Sequence, residues 1–123
     1  DVHVVVNSVW ERGQSTSVRA GVLAAGRHGH DAVVIGLGDQ PLVGTEAWRL
    51  VAAASDAPIA VATFDGLRRP PVRLAAEVWP LLPRRGDLGA RGLLRSRPDL
   101  VREVPCPGQP GDVDTPDDLA RFA

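Results

Sequence analysis

Three short runs of apolar, mostly β-branched residues constrain the fold of this 123-residue chain more than any other feature. They cover residues 2–6, 32–37 and 59–64, and each is apolar nearly throughout instead of alternating with polar residues. Strands with that pattern are buried on both faces, as in a parallel sheet that is covered by helices. The three runs therefore predict the strands of an α/β protein.

The segments between these runs have the spacing of helices. Residues 15–27 place Val18, Val22 and Leu23 on one face behind a Ser15 cap, and residues 45–54 begin with a Thr45 cap. Parallel neighbours require crossover connections of about this length. The order βαβαβ predicts a three-layer α/β/α sandwich with a mostly parallel sheet.

The second half of the chain is less regular, because Pro70 and Pro71 interrupt it. No repeat, low-complexity tract or long linker divides the sequence, so residues 1–123 are expected to form a single domain. The remaining predicted elements are a helix over residues 74–82, a helix over 88–96 capped by Asp87, a strand over 101–104, and a helix over 116–123 capped by Thr115.

Composition excludes several classes of function. A net charge of -1 gives no bulk attraction to nucleic acid or to anionic membranes. No apolar run approaches the roughly 20 residues of a membrane span, and the first residues do not form a signal peptide, so a cytoplasmic location is expected. All 14 basic residues are Arg, so within this sequence phosphate groups must meet Arg, backbone amides or a metal ion instead of a Walker-type Lys.

The first candidate metal ligand is Asp39, which lies in the sequence Gly-Asp-Gln-Pro directly after the run at residues 32–37. Ligands of open parallel sheets bind beyond the carboxyl ends of the strands, and a carboxylate there can hold a hard cation. The alternative is a turn in which Asp39 hydrogen-bonds to its own backbone. The local pattern leaves both interpretations open.

Two further carboxylates, Asp112 and Asp114, lie two residues apart. On an extended segment their side chains point the same way and could share a metal ion. Acidic residues before a helix are also expected for another reason, because negative charge stabilises a helix N-terminus. Spacing alone does not decide between these roles.

Other reactive or aromatic side chains have simpler interpretations. Cys106 lies between two prolines and is expected to be an inert thiol. His28 and His30 lie in a connection without a third ligand nearby, which favours a solvated loop over a zinc site. The tryptophans are expected to pack in the core or at an interface, and Trp10 is the one whose position would also allow base stacking.

Five short segments of the chain form an ordered set of motifs. They are GQSTSV at residues 13–18, GDQP at 38–41, PV at 71–72, GDLGAR at 86–91 and DVDTPDDL at 112–119. In this order, and over nearly the whole length of the chain, they resemble the MobA-like NTP transferases, and GDQP, GDLGAR and DVDTPDDL resemble the molybdenum cofactor cytidylyltransferase branch.

The resemblance implies both a fold and a reaction. The fold is a sandwich like that of the nucleotide-diphospho-sugar transferases. The reaction transfers a nucleoside monophosphate from an NTP to a phosphorylated acceptor such as molybdopterin, releases pyrophosphate and uses Mg²⁺. The branch resemblance favours CTP over GTP as the donor.

The resemblance also implies roles for individual residues. Asp39 and Asp114 would be catalytic and bind the metal ion, with Asp114 preferred to Asp112. Asp87 and Arg91 would lie on the acceptor side. The nucleotide would contact Gly13, Gln14, Ser15 and Ser17.

Two departures from the family pattern limit these expectations. The Gly-rich first loop of the family, which resembles LAAGxSxRxGxxK, has no counterpart, so these 123 residues are expected to be inactive alone or to belong to a longer, N-terminally extended chain. The sequence RRPPV at residues 68–72 replaces a Gly-His-Pro-Val-like turn, which leaves the acceptor open. The alternatives are a non-catalytic nucleotide-binding protein and a glycosyltransferase with a DxD motif.

Overall fold

The computed structural model describes residues 14–36, 44–82 and 90–108, with side chains described from residue 16 onward. The described elements are three α-helices, four strands and two short 3₁₀ helices. In chain order these are α1 (Gln14–Arg27), β1 (Ala32–Ile35), α2 (Thr45–Ala53), β2 (Ile59–Phe64), β3 (Leu67–Ala75), a 3₁₀ helix (Ala76–Leu81), α3 (Ala90–Ser96), a 3₁₀ helix (Pro98–Leu100) and β4 (Val101–Pro105).

The four described strands form one mixed sheet in the order β1-β3-β2-β4. β4 pairs with β2 in parallel, whereas β3 lies between β1 and β2 and runs antiparallel to both. β1, β2 and β4 therefore point in the same direction, which agrees with the prediction for the apolar runs at residues 32–37 and 59–64 and for the strand over 101–104. The predicted strand over residues 2–6 lies outside the described residues. The antiparallel β3 was not expected, and it separates two strands that the βαβ pattern had suggested as direct neighbours.

The central strand β2 shows why the molecule has three layers. All six of its residues are buried, and alternate side chains enter two different cores. Ile59 and Val61 pack with residues of α1 and α3, whereas Ala60 and Ala62 pack with α2. A strand alternates its side chains between opposite faces, so helices cover both faces of the sheet. This arrangement confirms the predicted α/β sandwich.

A two-residue hairpin joins β2 to β3. Phe64 pairs with Leu67, and the two residues between them, Asp65 and Gly66, have φ values of 51° and 82°. Positive φ at both central residues is the geometry of the hairpin turn that matches the twist of the strands, and Asp-Gly is one of its preferred sequences. This turn was not among the sequence-based predictions, although the Asp-Gly pair is a signal for it.

Two adjacent prolines, joined by a cis peptide bond, interrupt the pairing inside β3. Val61 pairs with Val72 and Ala62 pairs with Arg69, so Pro70 and Pro71 have no partner on β2. Since proline has no N–H to donate, an irregularity of this kind tolerates it within a strand. The predicted interruption at the prolines is therefore local, because the strand continues on both sides of them.

The predicted helix over residues 74–82 was also wrong in part. Residues 74 and 75 belong to β3, and the helical turns that follow are of the 3₁₀ type from Ala76 to Leu81. Leu74 pairs with both Val33 and Ile59, so it is part of the sheet. Pro80 lies inside the 3₁₀ helix, where its missing N–H limits regular α-helical bonding.

The described helices correct three further expectations, two about helix ends and one about burial. α1 starts at Gln14, so Ser15 lies inside the helix instead of capping it, and α2 has Gly44 in the cap position that Thr45 was expected to take. Val22 is buried as predicted, but Leu23 is 57% exposed. α2 and α3 agree with the helices predicted over residues 45–54 and 88–96 to within two residues, and the predicted helix over residues 116–123 lies outside the described residues. Every helix in the described ranges is too short or too polar to span a lipid bilayer.

Candidate functional site

The direction of the strands defines two edges of the sheet, and backbone hydrogen bonds mark the amino edge. The Ala75 amide donates to the Pro58 carbonyl (2.9 Å), and the Ala76 amide donates to the Asp31 carbonyl (2.8 Å). Pro58 and Asp31 directly precede β2 and β1. The opposite side of the sheet is therefore where β1, β2 and β4 end, and it is called the carboxyl edge below.

The starts of the three α-helices in the described ranges lie toward the carboxyl edge. Each helix leads through a short connection into the beginning of a strand: α1 into β1, α2 into β2 and α3 into β4. The carboxyl end of each helix therefore lies at the amino edge, and its N-terminus lies on the opposite side. The N–H groups of a first helical turn have no partner within the helix and carry a partial positive charge. An anion bound at this edge would lie near the N–H groups of several helix N-termini.

Most of the residues predicted to carry the chemistry lie outside the described residues. The structure does describe several of their chain neighbours. Gly36 follows β1 on the way to Asp39, Gly44 precedes α2, and Gly108 is the last described residue before Asp112 and Asp114. These neighbours belong to the ends of β1 and β4 and to the start of α2, which is the side of the sheet where ligands were expected. The predicted site residues outside the described ranges are Gly13, Asp39, Asp87, Asp112 and Asp114.

The remaining predicted residues lie at the starts of two helices on the same face of the sheet. Gln14, Ser15 and Ser17 belong to the first four residues of α1, and Ser17 is exposed. Arg91 is the second residue of α3 and is exposed. α1 and α3 both contribute to the core that contains Ile59 and Val61, so the described members of the two predicted sets lie on helices of one layer of the sandwich.

One contact at the carboxyl edge had no counterpart in the sequence-based reasoning. The ring of Trp48, on α2, occupies the space that a Cβ at Gly36 would need. Glycine is required where a backbone and a large side chain approach this closely. Trp48 is 37% exposed, and Gly36 directly follows the last residue of β1. Packing was the predicted role of Trp48, but its partner could not be read from the sequence.

Trp79 has a second packing role, on the opposite side of the sheet. Its indole Nε1 donates to the Leu74 carbonyl (3.1 Å), and its ring packs against the core that contains Val22. A Cβ at Gly26 would lie 3.5 Å from the ring, which is ordinary contact. The structure therefore confirms the prediction that Trp79 packs in the core.

An ion pair crosses the sheet near the hairpin. Arg68 Nε lies 2.6 Å from Glu103 Oε2, with the two side chains 42% and 50% exposed. Arg68 pairs with Thr63, and Glu103 pairs with Val61, so both side chains lie on the face that α1 and α3 cover. Exposed pairs of this kind contribute little to stability. Its main consequence is that the Arg68 charge is locally neutralised.

Cys106 follows the last residue of β4 and is half-buried. Its amide donates to the Thr63 carbonyl (2.9 Å), and its Sγ donates to the Val104 carbonyl (3.2 Å). Burial raises the pKa of the thiol, a backbone hydrogen bond involving Thr63 lowers it, and the negative charge of Glu46 raises it. A thiol with a raised pKa is a poor nucleophile, in agreement with the inert role predicted for it.

His28, Gly29 and His30 form the end of α1. The Gly29 amide donates to the Gly26 carbonyl (3.1 Å), the His30 amide donates to the Ala25 carbonyl (3.0 Å), and Gly29 has a φ of 81°. Together these bonds make a Schellman motif, which terminates helices with glycine in the left-handed conformation. In the described part of the chain, no three His, Cys, Asp or Glu side chains come together as a metal-binding group.

Comparison with known proteins places this geometry in a family. The model of the MobA-like NTP transferase domain matches residues 1–102. Purine catabolism protein PucB of Bacillus subtilis is 35% identical over 119 residues, which cover 92% of this chain and 58% of PucB. Nicotine blue oxidoreductase of Paenarthrobacter nicotinovorans is 32% identical over 131 residues, which cover 97% of this chain and 63% of that protein.

The fold also matches solved structures of a related mycobacterial protein. Rv0371c from Mycobacterium tuberculosis H37Rv superposes with a TM-score of 0.74 at 32% identity, covering 88% of this chain and 58% of Rv0371c. The complex of Rv0371c with manganese superposes with a TM-score of 0.72 at 30% identity, covering 86% of this chain and 58% of that one. The chain thus spans about 60% of the length of the proteins that it matches.

Proposed function

The chain belongs to the family of MobA-like NTP transferase domains, and from this membership we propose that the protein transfers a nucleoside monophosphate from an NTP to a phosphorylated acceptor and releases pyrophosphate. The observation that carries the proposal is the family match over residues 1–102. The position of the helix starts and strand ends at one edge supports it, because ligands of open α/β sheets bind there.

The proposed donor is CTP in preference to GTP, and the proposed acceptor is the phosphate of molybdopterin. Support comes from the sequence segments GDQP, GDLGAR and DVDTPDDL, which resemble the cytidylyltransferase branch. The names of the two curated relatives, a purine catabolism protein and an oxidoreductase, denote different activities. Donor and acceptor are therefore the parts of the proposal that need direct measurement.

A divalent metal ion, Mg²⁺ in the proposal, would be held by Asp39 and Asp114. Carboxylate oxygens are the ligands that Mg²⁺ and Mn²⁺ prefer, and a related protein, Rv0371c, has been crystallised with manganese. When bound, the ion would neutralise charge on the phosphates. Asp112 lies two residues from Asp114 and is the alternative ligand.

The protein's own groups would hold and orient the substrates. Gly13, Gln14, Ser15 and Ser17 would bind the nucleotide, and the last three of them lie in the first residues of α1. Asp87 and Arg91 would face the acceptor, and Arg91 is the second residue of α3. Positioning and charge stabilisation dominate phosphoryl transfer, so a site built from helix starts and arginines suits the reaction. The described geometry supports the assignment of nucleotide and acceptor to these two helices, since α1 and α3 share one layer.

Nucleotide-dependent thermal stabilisation tests the proposal. Ligand binding to the native state stabilises it by about 2.7 kcal/mol at ~100 times Kd, which a melting curve resolves. The protein is melted with Mg²⁺ and each of CTP, GTP, ATP and UTP, and pyrophosphate release is then measured with molybdopterin. We expect CTP to give the largest shift. A larger shift with GTP would move the assignment to guanylyl transfer, and equal or absent shifts would exclude the cytidylyltransferase.

A further inference from the structure

β3 carries three arginines, and the pairing of the strands assigns them to opposite faces of the sheet. Arg68 and Arg69 lie in the half of β3 near the carboxyl edge, whereas Arg73 is two residues from Ala75 at the amino edge. Arg68 pairs with Thr63 and makes its ion pair with Glu103 on the face covered by α1 and α3. Arg69 pairs with Ala62, and Arg73 pairs with both Ala60 and Val34. Paired residues of antiparallel strands share a face, so Arg69 and Arg73 lie on the other side of the sheet from Arg68.

The face that Arg69 and Arg73 share is the one that α2 covers. Their partners Ala60 and Ala62 are fully buried in the core formed with α2, and Val34 packs against the same core. Both arginines are half-buried, whereas Arg68 is exposed. Two long cationic side chains therefore cover small alanines next to a helix, in a position where hydrophobic side chains would be expected.

No acid balances these two charges within the described residues. The ion pairs found there involve Arg49, Arg68, Arg97 and Arg102, and neither Arg69 nor Arg73 takes part. The guanidinium of Arg69 donates to the Arg68 carbonyl (2.8 Å), which leaves its other N–H groups available. Their partners on β2 are two residues apart, so the two arginines lie about 7 Å from each other along the sheet.

Two like charges at this spacing repel each other, and partial burial increases the repulsion. An anion between them would remove it. Guanidinium groups bind phosphate through parallel N–H···O bonds, more tightly and with better defined geometry than an ammonium group does. Arg69 is the member of the pair nearer the carboxyl edge, where the phosphates of an NTP or of a phosphorylated acceptor would lie, and Arg73 lies behind it toward the amino edge.

We propose that Arg69 and Arg73 form a phosphate-binding subsite on the α2 face of the sheet. The proposal deepens the proposed function, on which it rests, by assigning residues to a substrate phosphate. It concerns the phosphate group itself, which could belong to the nucleotide or to the acceptor. The neighbouring Arg68 has no such role, because Glu103 neutralises it on the opposite face.

Calorimetric titration with inorganic pyrophosphate tests the subsite directly. The purified protein is compared with Arg69→Gln, Arg73→Gln and the matched control Arg68→Gln, which lies on the same strand. Loss of one charge-assisted bidentate contact should raise the pyrophosphate Kd by about tenfold in either of the first two variants. The control should stay within about twofold of wild type.

The Lys variants distinguish the loss of a phosphate contact from a general structural effect of the substitution. Arg69→Lys and Arg73→Lys keep the charge but lose the planar fork, so each should recover part of the affinity that the Gln variant loses. Circular dichroism spectra check that each variant is folded. Pyrophosphate binding that is absent in the wild type, or reduced equally by Arg68→Gln and Arg69→Gln, would overturn the subsite.

Two further titrations identify the source of the phosphate and separate this proposal from the previous one. If the subsite belongs to the nucleotide, Arg69→Gln weakens CTP binding, and if it belongs to the acceptor, it weakens binding of phenyl phosphate, a simple phosphomonoester. Either result supports the subsite. If the wild type turns over CTP but the two Gln variants bind pyrophosphate as tightly as the wild type does, the subsite is refuted and the proposed reaction is not. Arginine-dependent pyrophosphate binding without nucleotidyl transfer would refute the proposed reaction alone.

Discussion

The ring of Trp48 lies over the Cα of Gly36, in the space that a side chain at residue 36 would occupy. The contact joins the second turn of α2 to the point where the chain leaves β1. The segment that contains Asp39 begins one residue later. The packing of this partly exposed indole therefore constrains Gly36, the last described residue before Asp39.

We expect Gly36→Ala to destabilise the protein by about 1–3 kcal/mol, because the new methyl group overlaps the Trp48 ring in a packed contact. Urea denaturation gives the free energy of unfolding. The matched control is Gly21→Ala in α1, where nothing lies within 4 Å of the added Cβ. That control should gain about 0.5–1 kcal/mol from the higher helix propensity of alanine.

A double variant tests whether Trp48 is the cause. In Gly36→Ala/Trp48→Val the smaller side chain should leave room for the methyl group, so the two effects should be less than additive by about 1 kcal/mol. Strict additivity of the two single changes would contradict the contact.

The hairpin between β2 and β3 gives a second prediction. Gly66 has a φ of 82°, so Gly66→Ala should cost about 1 kcal/mol, measured as a lower melting temperature. Asp65, with a φ of 51°, should tolerate Asn but not Val, because Asn adopts the left-handed conformation more readily. Equal stability of Asp65→Asn and Asp65→Val would show that the turn does not depend on this conformation.

Local pattern predicted the parts of the fold that local interactions determine. The buried strand Ile59–Phe64 agrees with the prediction residue for residue, and α1 begins one residue earlier than expected. β3 was missed because Pro70 and Pro71 are strong signals against a strand. Its place in the sheet depends on the hairpin at Asp65 and on long-range pairing with β1, which periodicity does not contain.

For the candidate site, the sequence predicted the family but not the contacts between residues on different elements. The order of the five motifs identified the family, because their residue types and sequence are characteristic of it. The close approach of Trp48 to Gly36 was not predictable, since it joins residues on different elements. The same is true of the opposite faces of Arg68 and Arg69, because only the register with β2 shows which of these two consecutive arginines has an acidic partner.

Asp39→Asn distinguishes a metal ligand from a residue that only forms a turn. Asn keeps the size and the local hydrogen bonds of Asp but not the charge that a hard cation needs, so metal-dependent turnover should collapse while the melting temperature hardly changes. The measurement is pyrophosphate release by the wild type and by Asp39→Asn at saturating Mg²⁺. Turnover within about threefold of wild type, equivalent to less than ~1 kcal/mol of transition-state stabilisation, would exclude the metal role.

Cys106 provides a test of the electrostatics at the end of β4. It is the only cysteine of the chain, so thiol labelling reports on it alone. Because burial raises the pKa of the thiol, less of it is thiolate at a given pH, and the native protein should react with iodoacetamide at pH 8 at least about threefold more slowly than N-acetylcysteine. The midpoint of the rate against pH should lie above that of the model compound.

Unfolding in urea serves as the control for this measurement, since it should bring the Cys106 rate to that of the model thiol. Glu46→Gln should move the midpoint slightly downward, because a neighbouring negative charge is removed. A native rate equal to or faster than that of N-acetylcysteine would contradict the raised pKa.

The position of β3 also has a consequence for the order in which the molecule assembles. In the described sheet β1 pairs only with β3, and β4 pairs only with β2. The hairpin of β2 and β3 must therefore form before either of the other two strands can pair. Its strands are two residues apart in the chain, whereas β1 must wait until residues 67–75 have been synthesised. Short loops close at low entropic cost, so we expect the hairpin to form early. Gly66→Ala should then mainly slow refolding, and Val34→Ala, on β1, should mainly speed unfolding.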